Sequence, residues 1–478
     1  LKEIAKLKPQ GIILSGGPAS VYKENAPTMD KKILNFGIPI LGICYGLQLI
    51  GKFVGGEVLA GELKEFGKKV LHIKKQGKIL KGLSKEEQVW MSHGDLVINL
   101  PSDFEILAST DACKIAAFEN NAKKLYGIQF HAEVAHTLSG NKILKNFVFN
   151  ICKSTKDWEI KNLSKKLIKE IKKEVGNNSV IMGVSGGVDS TVAATLINKA
   201  IGSKLYFVFI DHGLIRNGEA QEIKDFFDKK LRFKRFYFVD ASKIFLERLK
   251  GITEPEEKRK IIGHTFIEVF ENKVIELEKQ CPTIKFLGQG TIYPDRIESA
   301  QPTKYTSKIK SHHNITLPEK MKLRVIEPLR EFYKDEVRKL GKELKIPNEI
   351  LNRHPFPGPG LAIRILGEVT EERLKILREA DYIFIEELKK SKLYDKIWQA
   401  FAALLPIKSV GVMGDARTYE YLISLRAVTS VDAMTADWAK LPNELLEKIS
   451  NRIINEVRGV NRVVYDISQK PPATIEYE

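Results

Sequence analysis

The sequence predicts an α/β protein with two doubly wound parallel-sheet domains, and three observations carry that expectation. A chain of 478 residues is too long for one ordinary domain and suits two to four, each able to bury its own core. Pro39–Ile43 and Val180–Val184 are short apolar runs that pass at once into a glycine-bearing turn and then a helical pattern. Further apolar runs alternate with helical spacings around both, as in open parallel sheets.

Composition narrows the class. With 43% hydrophobic and 29% charged residues, the chain reads as a soluble globular protein, and no apolar run approaches a membrane-spanning length. No signal-peptide pattern opens it. Cys44, Cys113, Cys152 and Cys281 stand far apart without a C-x-x-C pair, which argues against a disulfide framework or a zinc site and for a reducing, cytoplasmic compartment. A net charge of +17 favours anionic partners, either nucleotides and pyrophosphate or a nucleic acid. The lysines are nevertheless spread along the chain, the pattern of a solvated surface.

Leu1, Ile4 and Leu7 have helical spacing that Pro9 to Gly11 breaks before a strand at Gly11 to Ser15. The chain thus starts within a helix and without Met. A preceding strand and part of a helix are expected to be missing, which leaves the first sheet incomplete.

In the first region, residues 1 to about 153, the strand Pro39–Ile43 ends at Cys44 in PILGICYGLQLIG. Gly42 and Gly46 flank the cysteine as in a nucleophile elbow, where a strained turn lifts a thiol to a helix N-terminus. A buried free cysteine acting as a small hydrophobe fits the same string. A nucleophile needs a base and an orienting group, and His131 and Glu133 in GIQFHAEVAH follow the strand Leu125–Phe130 and point to one side of an extended segment. The loop Ser15-Gly16-Gly17-Pro18 can supply oxyanion N–H groups beside that of Tyr45; it also suits a plain strand-ending turn.

The SGGP loop, GICYG with Gln48, WMSHGD at Trp90–Asp95 and the His131/Glu133 pair together resemble the class I glutamine amidotransferases, which hydrolyse glutamine to release ammonia. The resemblance implies Cys44 as nucleophile, His131 as base and Glu133 as orienting carboxylate, with Gly16, Gly17 and Tyr45 at the oxyanion and Gln48, Ser92, His93 and Asp95 lining the glutamine site. Ala132 stands where that family usually has proline. It restores a backbone N–H and a freer φ between His131 and Glu133.

A linker at Lys153–Asp157 leads to Trp158 and a lysine-rich amphipathic helix ending near Gly176. Next comes VIMGVSGGVDST at Val180–Thr191. Gly186 and Gly187 allow close backbone approach, and Val188–Ile201 has helical spacing with Ser190 and Thr191 in its first turn, so N–H groups can face an anion. The loop lacks the Gly-Lys-Ser/Thr ending of a Walker A motif. Asp189 repels a phosphate unless a cation lies between, so Mg²⁺ is implied if phosphates bind. Glycine spacing alone fits a Ser/Asp-capped helix equally well. Strands at Leu205–Ile210 and Phe236–Val239 follow, then KFLGQG, whose Gly288, Gln289 and Gly290 sit at a strand end where a nucleotide can border. From Tyr293 to Leu317 periodicity disappears and a mobile lid is expected. Lys308, Lys310, His312 and His313 suit a polyphosphate there, and Asp295 and Glu298 suit Mg²⁺ or substrate positioning; adjacent histidines do not make a zinc site.

SGGVDS with IKSHHN is similar to the pyrophosphatase-loop (PP-loop) ATP pyrophosphatases. Behind an amidotransferase, the combination resembles the glutamine-hydrolysing GMP synthetase family. The hinge HPFPGPGLAIRILG (His354–Gly367), GVMGDARTYEY, LRAVTSVDAMTADW and the closing KPPATIEYE continue that resemblance over nearly the whole chain. It implies an amidotransferase at 1–153, an ATP pyrophosphatase at 157–353 and a smaller α+β dimerisation domain at 354–478, in a homodimer. ATP would adenylate XMP with release of pyrophosphate, and ammonia would displace AMP to give GMP. Ser185, Gly186, Gly187, Val188, Asp189, Ser190, Thr191 and Lys310 would hold ATP and pyrophosphate, with Mg²⁺ on Asp189. Arg259, Gln399, Arg462, Lys470, Ile475 and Glu476 would contact XMP. Pro471-Pro472 stiffens the tail, so an ordered C-terminus is expected. Ile315-Thr316-Leu317 and Tyr477 depart from the family's usual Gly-Gly and Trp. Two other readings stay open: a chain that uses only free ammonia, and an RNA-binding or tRNA-modifying protein. The latter lacks a cysteine pair and a basic-aromatic platform, so no nucleic-acid or membrane partner is expected.

Overall fold

The computed structural model describes residues 1–134, 136–156, 163–231, 233–295, 323–413, 416–430, 433 and 435–478. Three sheets organise them. The first has seven strands: β1 (Ile12–Leu14), β2 (Ile40–Ile43), β3 (Glu57–Ile73), β4 (Glu86–Asn99), β5 (Glu105–Ser109), β6 (Ala117–Asn120) and β7 (Leu125–Ile128), in the order β1-β2-β7-β6-β5-β3-β4. Only β1, β2 and β7 are mutually parallel. The other four extend the sheet through antiparallel pairings. Parallel strands must be buried on both faces, and Ile40, Leu41, Leu125 and Ile128 are almost fully buried. The short helix Lys2–Leu7 buries none of its residues.

The second sheet is wholly parallel: β8 (Ser179–Val184), β9 (Leu205–Asp211), β10 (Phe236–Asp240), β11 (Ile284–Gly288) and β12 (Arg324–Ile326), in the order β10-β9-β8-β11-β12. The sequence reading of its apolar runs holds within a residue or so at each end, and the helix after the glycine loop spans Val188–Ile201. β8 lies at the centre. Its loop therefore opens where the chain crosses from one side of the sheet to the other, the usual position for a ligand in an open α/β sheet.

The third sheet joins β13 (Gln399–Met413), β14 (Ala416–Thr429), β15 (Asp437–Trp438) and β16 (Val460–Tyr465). The β13–β14–β15 part is antiparallel and β16 pairs with β14 in parallel. The helix Glu371–Lys390 buries Leu374, Leu377, Phe384 and Leu388. These join one apolar cluster with Ile181 and Val208 of the second sheet, Leu404 and Ile423 of the third, and Phe245 and Ile449 on the helices Ser242–Leu249 and Asn443–Glu456, so a continuous core runs past the Pro/Gly hinge. Among the described residues no helix is long and apolar enough to cross a membrane.

Candidate functional site

Cys44 stands between β2 and the helix Tyr45–Phe53 with φ 51° and ψ −106°. Such a backbone costs a non-glycine residue roughly 1–3 kcal/mol. Two glycines make the turn possible. A Cβ on Gly46 would lie 2.1 Å from the Leu14 carbonyl oxygen, and one on Gly42 would lie 2.5 Å from the Gly46 backbone. The Cys44 N–H donates to the Ile128 carbonyl at 2.9 Å, which ties the elbow to β7.

His131 follows β7 and is fixed by its own N–H, which donates to the Trp90 carbonyl at 3.0 Å. Its Nδ1 lies 2.7 Å from Glu133 Oε1. Burial by itself pushes this imidazole down. Hydrogen bonds to Cys44 and Glu133, and the negative charge of both, outweigh burial and raise it to about 10. A Cβ on Gly16 would stand 3.0 Å from His131 Cε1 and 3.7 Å from Cys44 Cβ, and one on Gly17 3.6 Å from the Tyr45 ring, so the Ser15–Pro18 loop lies against the Cys–His pair. Ala132 is buried, and the pair closes at 2.7 Å without a proline between its members.

The WMSHGD string lies on β4. Cys44 Sγ is 3.7 Å from the Ser92 carbonyl. Gln48 Nε2 donates to the Asp95 carbonyl at 2.9 Å, and the Asp95 carboxylate accepts from the Tyr22 hydroxyl at 2.9 Å. The His93 ring turns into the domain, 3.2 Å from Glu65. Gln129 is a component that sequence reasoning missed: fully buried, it places Nε2 3.7 Å from Cys44 Sγ and Oε1 3.5 Å from Gln48. The polar residue inside the apolar run GIQF was its one local signal.

At the second centre Gly186 has φ 72°, and a Cβ there would meet Ile223 Cδ1 at 2.5 Å. The loop is laced by hydroxyls. Gly187 N–H donates to Ser185 Oγ at 3.4 Å, and the Ser190 and Thr191 hydroxyls donate to the Gly187 carbonyl at 3.1 and 2.7 Å. Val188 is buried and anchors the helix start. A Cβ on Gly290 would lie 2.9 Å from Ser190 Cα, so β11 and the loop close on each other. Burial pushes the Asp189 carboxyl up, and the nearby Asp295 charge adds to this against Lys334 and Arg338. Lys334 Nζ is 3.7 Å from Asp189 Oδ2, while Asp189 Oδ1 is buried without a hydrogen-bond partner among the described residues. Two neighbouring carboxylates and an orphaned oxygen fit a hard divalent cation. Arg353, unforeseen from sequence, reaches the Gly186 carbonyl at 3.4 Å. Glu298, Lys310, His312 and His313 lie outside the described residues, as do Trp158 and most of the expected lid.

The C-terminal tail is packed. Arg426, fully buried, donates to the carbonyls of Ser468, Thr474 and Ile475 at 3.0, 2.9 and 3.0 Å. Ile475 joins an apolar cluster with Phe401 and Val428, Tyr477 pairs with Ser424 at 2.7 Å, and Lys258 reaches Glu478 at 2.5 Å. Gln399 Nε2 donates to Glu476 Oε1 at 2.5 Å, so Gln399, Ile475 and Glu476 come together. Lys470 Nζ donates to the Ala433 carbonyl at 2.8 Å. Arg259 lies on the helix Pro255–Gln280 and pairs with Glu256 at 2.5 Å. Arg462 stands apart, on β16, its Nε 3.3 Å from Ser409 Oγ toward the far end of β13 from Gln399. Arg364 was not singled out from sequence; it is buried over the Phe401 ring at 4.2 Å and grips Glu476.

Three family models match separate parts of the chain. Residues 1–151 match the family described as glutamine amidotransferase class-I. Residues 159–257 match NAD synthase, and residues 386–477 the GMP synthase C terminal domain. The chain is 57% identical over 481 residues to a GMP synthase (glutamine-hydrolyzing) of Aquifex aeolicus (strain VF5), covering 100% of this chain and 92% of that one. It is 56% identical over 479 residues to the same enzyme of Carboxydothermus hydrogenoformans (strain ATCC BAA-161 / DSM 6008 / Z-2901), covering 100% and 93%. With similarity of this degree over its whole length, the chain belongs to the glutamine-hydrolysing GMP synthase family.

Proposed function

We propose that the two centres perform GMP synthesis from XMP in series. At the first, the Cys44 thiolate attacks the side-chain carbonyl of glutamine, with His131 holding the proton and Glu133 holding the imidazole. His131 then returns the proton to the leaving nitrogen, ammonia departs, and water releases glutamate from the acyl-enzyme. Backbone N–H groups of Gly16, Gly17 and Tyr45 would face the oxyanion. Gln48, Ser92 and Asp95 would border the bound glutamine, with His93 behind them.

At the second centre the XMP C2 oxygen attacks the α-phosphorus of ATP, and pyrophosphate leaves into the loop formed by Ser185, Gly186, Gly187, Val188, Asp189, Ser190 and Thr191. Ammonia then displaces AMP and GMP forms. Asp189, with Asp295 beside it, would hold Mg²⁺, which when bound offsets phosphate charge. Lys310 and the histidines His312 and His313 would meet the phosphates. XMP would lie against Gln399, Ile475, Glu476 and Lys470, with Arg259 reaching it from the helix Pro255–Gln280, whereas Arg462 stands too far along β16 to join them. The domain limits that go with this division are 1–153, 157–353 and 354–478.

One observation carries the reading: a Cys–His–Glu centre and a glycine loop with a buried aspartate oxygen that no described residue bonds occur in a single chain. An assay of GMP, AMP and pyrophosphate from XMP and ATP, with glutamine or ammonium chloride as nitrogen source, tests it. Equal yields of the three products with either source are expected; AMP formation without GMP would contradict it.

A homodimer through the third sheet is part of the proposal. Val412 and Tyr419 on the β13–β14 hairpin are 75% and 65% exposed, and Ile407 and Val410 are exposed beside them, an apolar strip that a second copy could cover. Val412→Asp should lower the mass measured by light scattering from dimer to monomer. All four cysteines are free, which supports a reducing, cytoplasmic setting.

A further inference from the structure

The β3–β4 pair carries a buried cluster that the proposed glutamine chemistry does not itself use. Glu65 stands opposite His93 in the strand register. Their side chains are 3% and 2% exposed, and Glu65 Oε2 lies 3.2 Å from His93 Nε2. The contact is set off the hydrogen-bond axis, for among the described residues His93 Nε2 has no well-directed acceptor. His93 Nδ1 faces the Asp95 carbonyl at 3.2 Å. Carboxylate and carbonyl oxygens only accept, so both contacts are favourable when both ring nitrogens carry protons.

Thr110 Oγ1 donates to the two Glu65 oxygens at 2.9 and 3.1 Å. Burial pushes the Glu65 carboxyl up, but the adjoining His93 ring, the hydrogen bonding from Thr110 and the nearby Lys69 charge hold it below its ordinary value. Beyond His93 the contacts continue toward Cys44. The same Asp95 carbonyl accepts from Gln48 Nε2 at 2.9 Å, Gln48 lies 3.5 Å from Gln129 Oε1, and Gln129 Nε2 lies 3.7 Å from Cys44 Sγ.

Cys113 brings a third donor, so that the ligand atoms of Glu65, His93 and Cys113 lie within 4.8 Å of one another. The cluster is nonetheless a poor metal site. His93 and Thr110 already occupy the carboxylate oxygens, and burial with the Glu65 charge pushes the Cys113 thiol up to about 12, whereas a metal ligand must be the thiolate.

We propose that Glu65 and His93 are positioning residues for glutamine. The buried Glu65–His93 pair holds the Asp95 carbonyl, and through it the Gln48 and Gln129 amides, in register with Cys44. This rests on the reading of Cys44 as the glutamine nucleophile.

The test uses Glu65→Gln in the full chain, which keeps the side-chain size and removes the charge. A displaced shelf should raise KM for glutamine roughly 10- to 100-fold, with kcat at saturating glutamine within about threefold of wild type. The rate with ammonium chloride should not change. An unchanged KM for glutamine overturns the inference. So does a fall in kcat at constant KM, or an equal fall with ammonium chloride, either of which marks Glu65 as merely structural. If circular dichroism shows that Glu65→Gln does not fold, Thr110→Val decides: it removes a donor to the same carboxylate and should raise KM for glutamine in smaller measure, and an unchanged KM rejects the inference. Cys44→Ala run alongside separates the two levels, for glutamine-driven GMP formation surviving in that variant overturns the reading of the centre itself.

Discussion

Arg364 holds Glu476 through two hydrogen bonds, Nε to Oε2 at 3.0 Å and Nη2 to Oε1 at 2.9 Å, across 112 residues of chain. The guanidinium is fully buried, and its Nη1 has no hydrogen-bond partner among the described residues. Residues 475–478 are therefore tied into the fold, Ile475 buried and Glu476 half-buried against Arg364 and Gln399.

Removing one partner from a buried pair leaves an uncompensated charge, at a cost of about 3–5 kcal/mol. Glu476→Ala should lower the unfolding free energy by that order and raise KM for XMP. Deleting Thr474 to Glu478 should raise the XMP requirement more sharply, since Ile475 and the Lys258–Glu478 pair are lost as well. Steady-state kinetics with varied XMP, beside denaturant unfolding, measure both; XMP kinetics unchanged by the deletion would remove the tail from the site.

The two centres should separate by mutation. Cys44→Ala is expected to abolish glutamine-driven GMP formation and spare ammonia-driven formation, whereas Asp189→Ala abolishes both. Product assays with each nitrogen source give the answer, and loss of ammonia-driven activity in the Cys44 variant contradicts the division.

The elbow glycines should tolerate no side chain. In Gly46→Ala the new methyl would stand 2.1 Å from the Leu14 carbonyl oxygen, backbone that cannot swing aside. Overpacking of this kind costs about 1–3 kcal/mol or more. Thermal unfolding should show a lower first transition, together with loss of glutamine hydrolysis and retention of ammonia use.

A pH signature follows from His131, whose imidazole is raised from 6.5 to about 10 in the folded chain. A raised imidazole contributes stability that is complete below its unfolded value and lost as pH rises through its folded value. Glu133 supplies part of that contribution. The unfolding free energy of Glu133→Gln should therefore trail wild type most near pH ~6 and converge on it as pH climbs toward ~10. A deficit independent of pH across that window would show that Glu133 does not stabilise the imidazolium.

What the sequence determined by itself was local. The Cys44 elbow, the His131/Glu133 pair, the glycine loop and the Val188–Ile201 helix follow from periodicity, from where glycine is required, and from residues a few positions apart; such signals depend on neighbours in the chain. The tertiary structure decided what distant segments do to one another. The antiparallel β3–β4 hairpin sets Glu65 opposite His93 and brings the Ser92 carbonyl to Cys44. Gln129 read as one polar residue in a strand until packing aimed it at the thiol. Arg364 and Glu476, far apart in sequence, carry no common pattern. Their pairing exists because a charge that folding removes from water must find its counter-charge, wherever along the chain that lies.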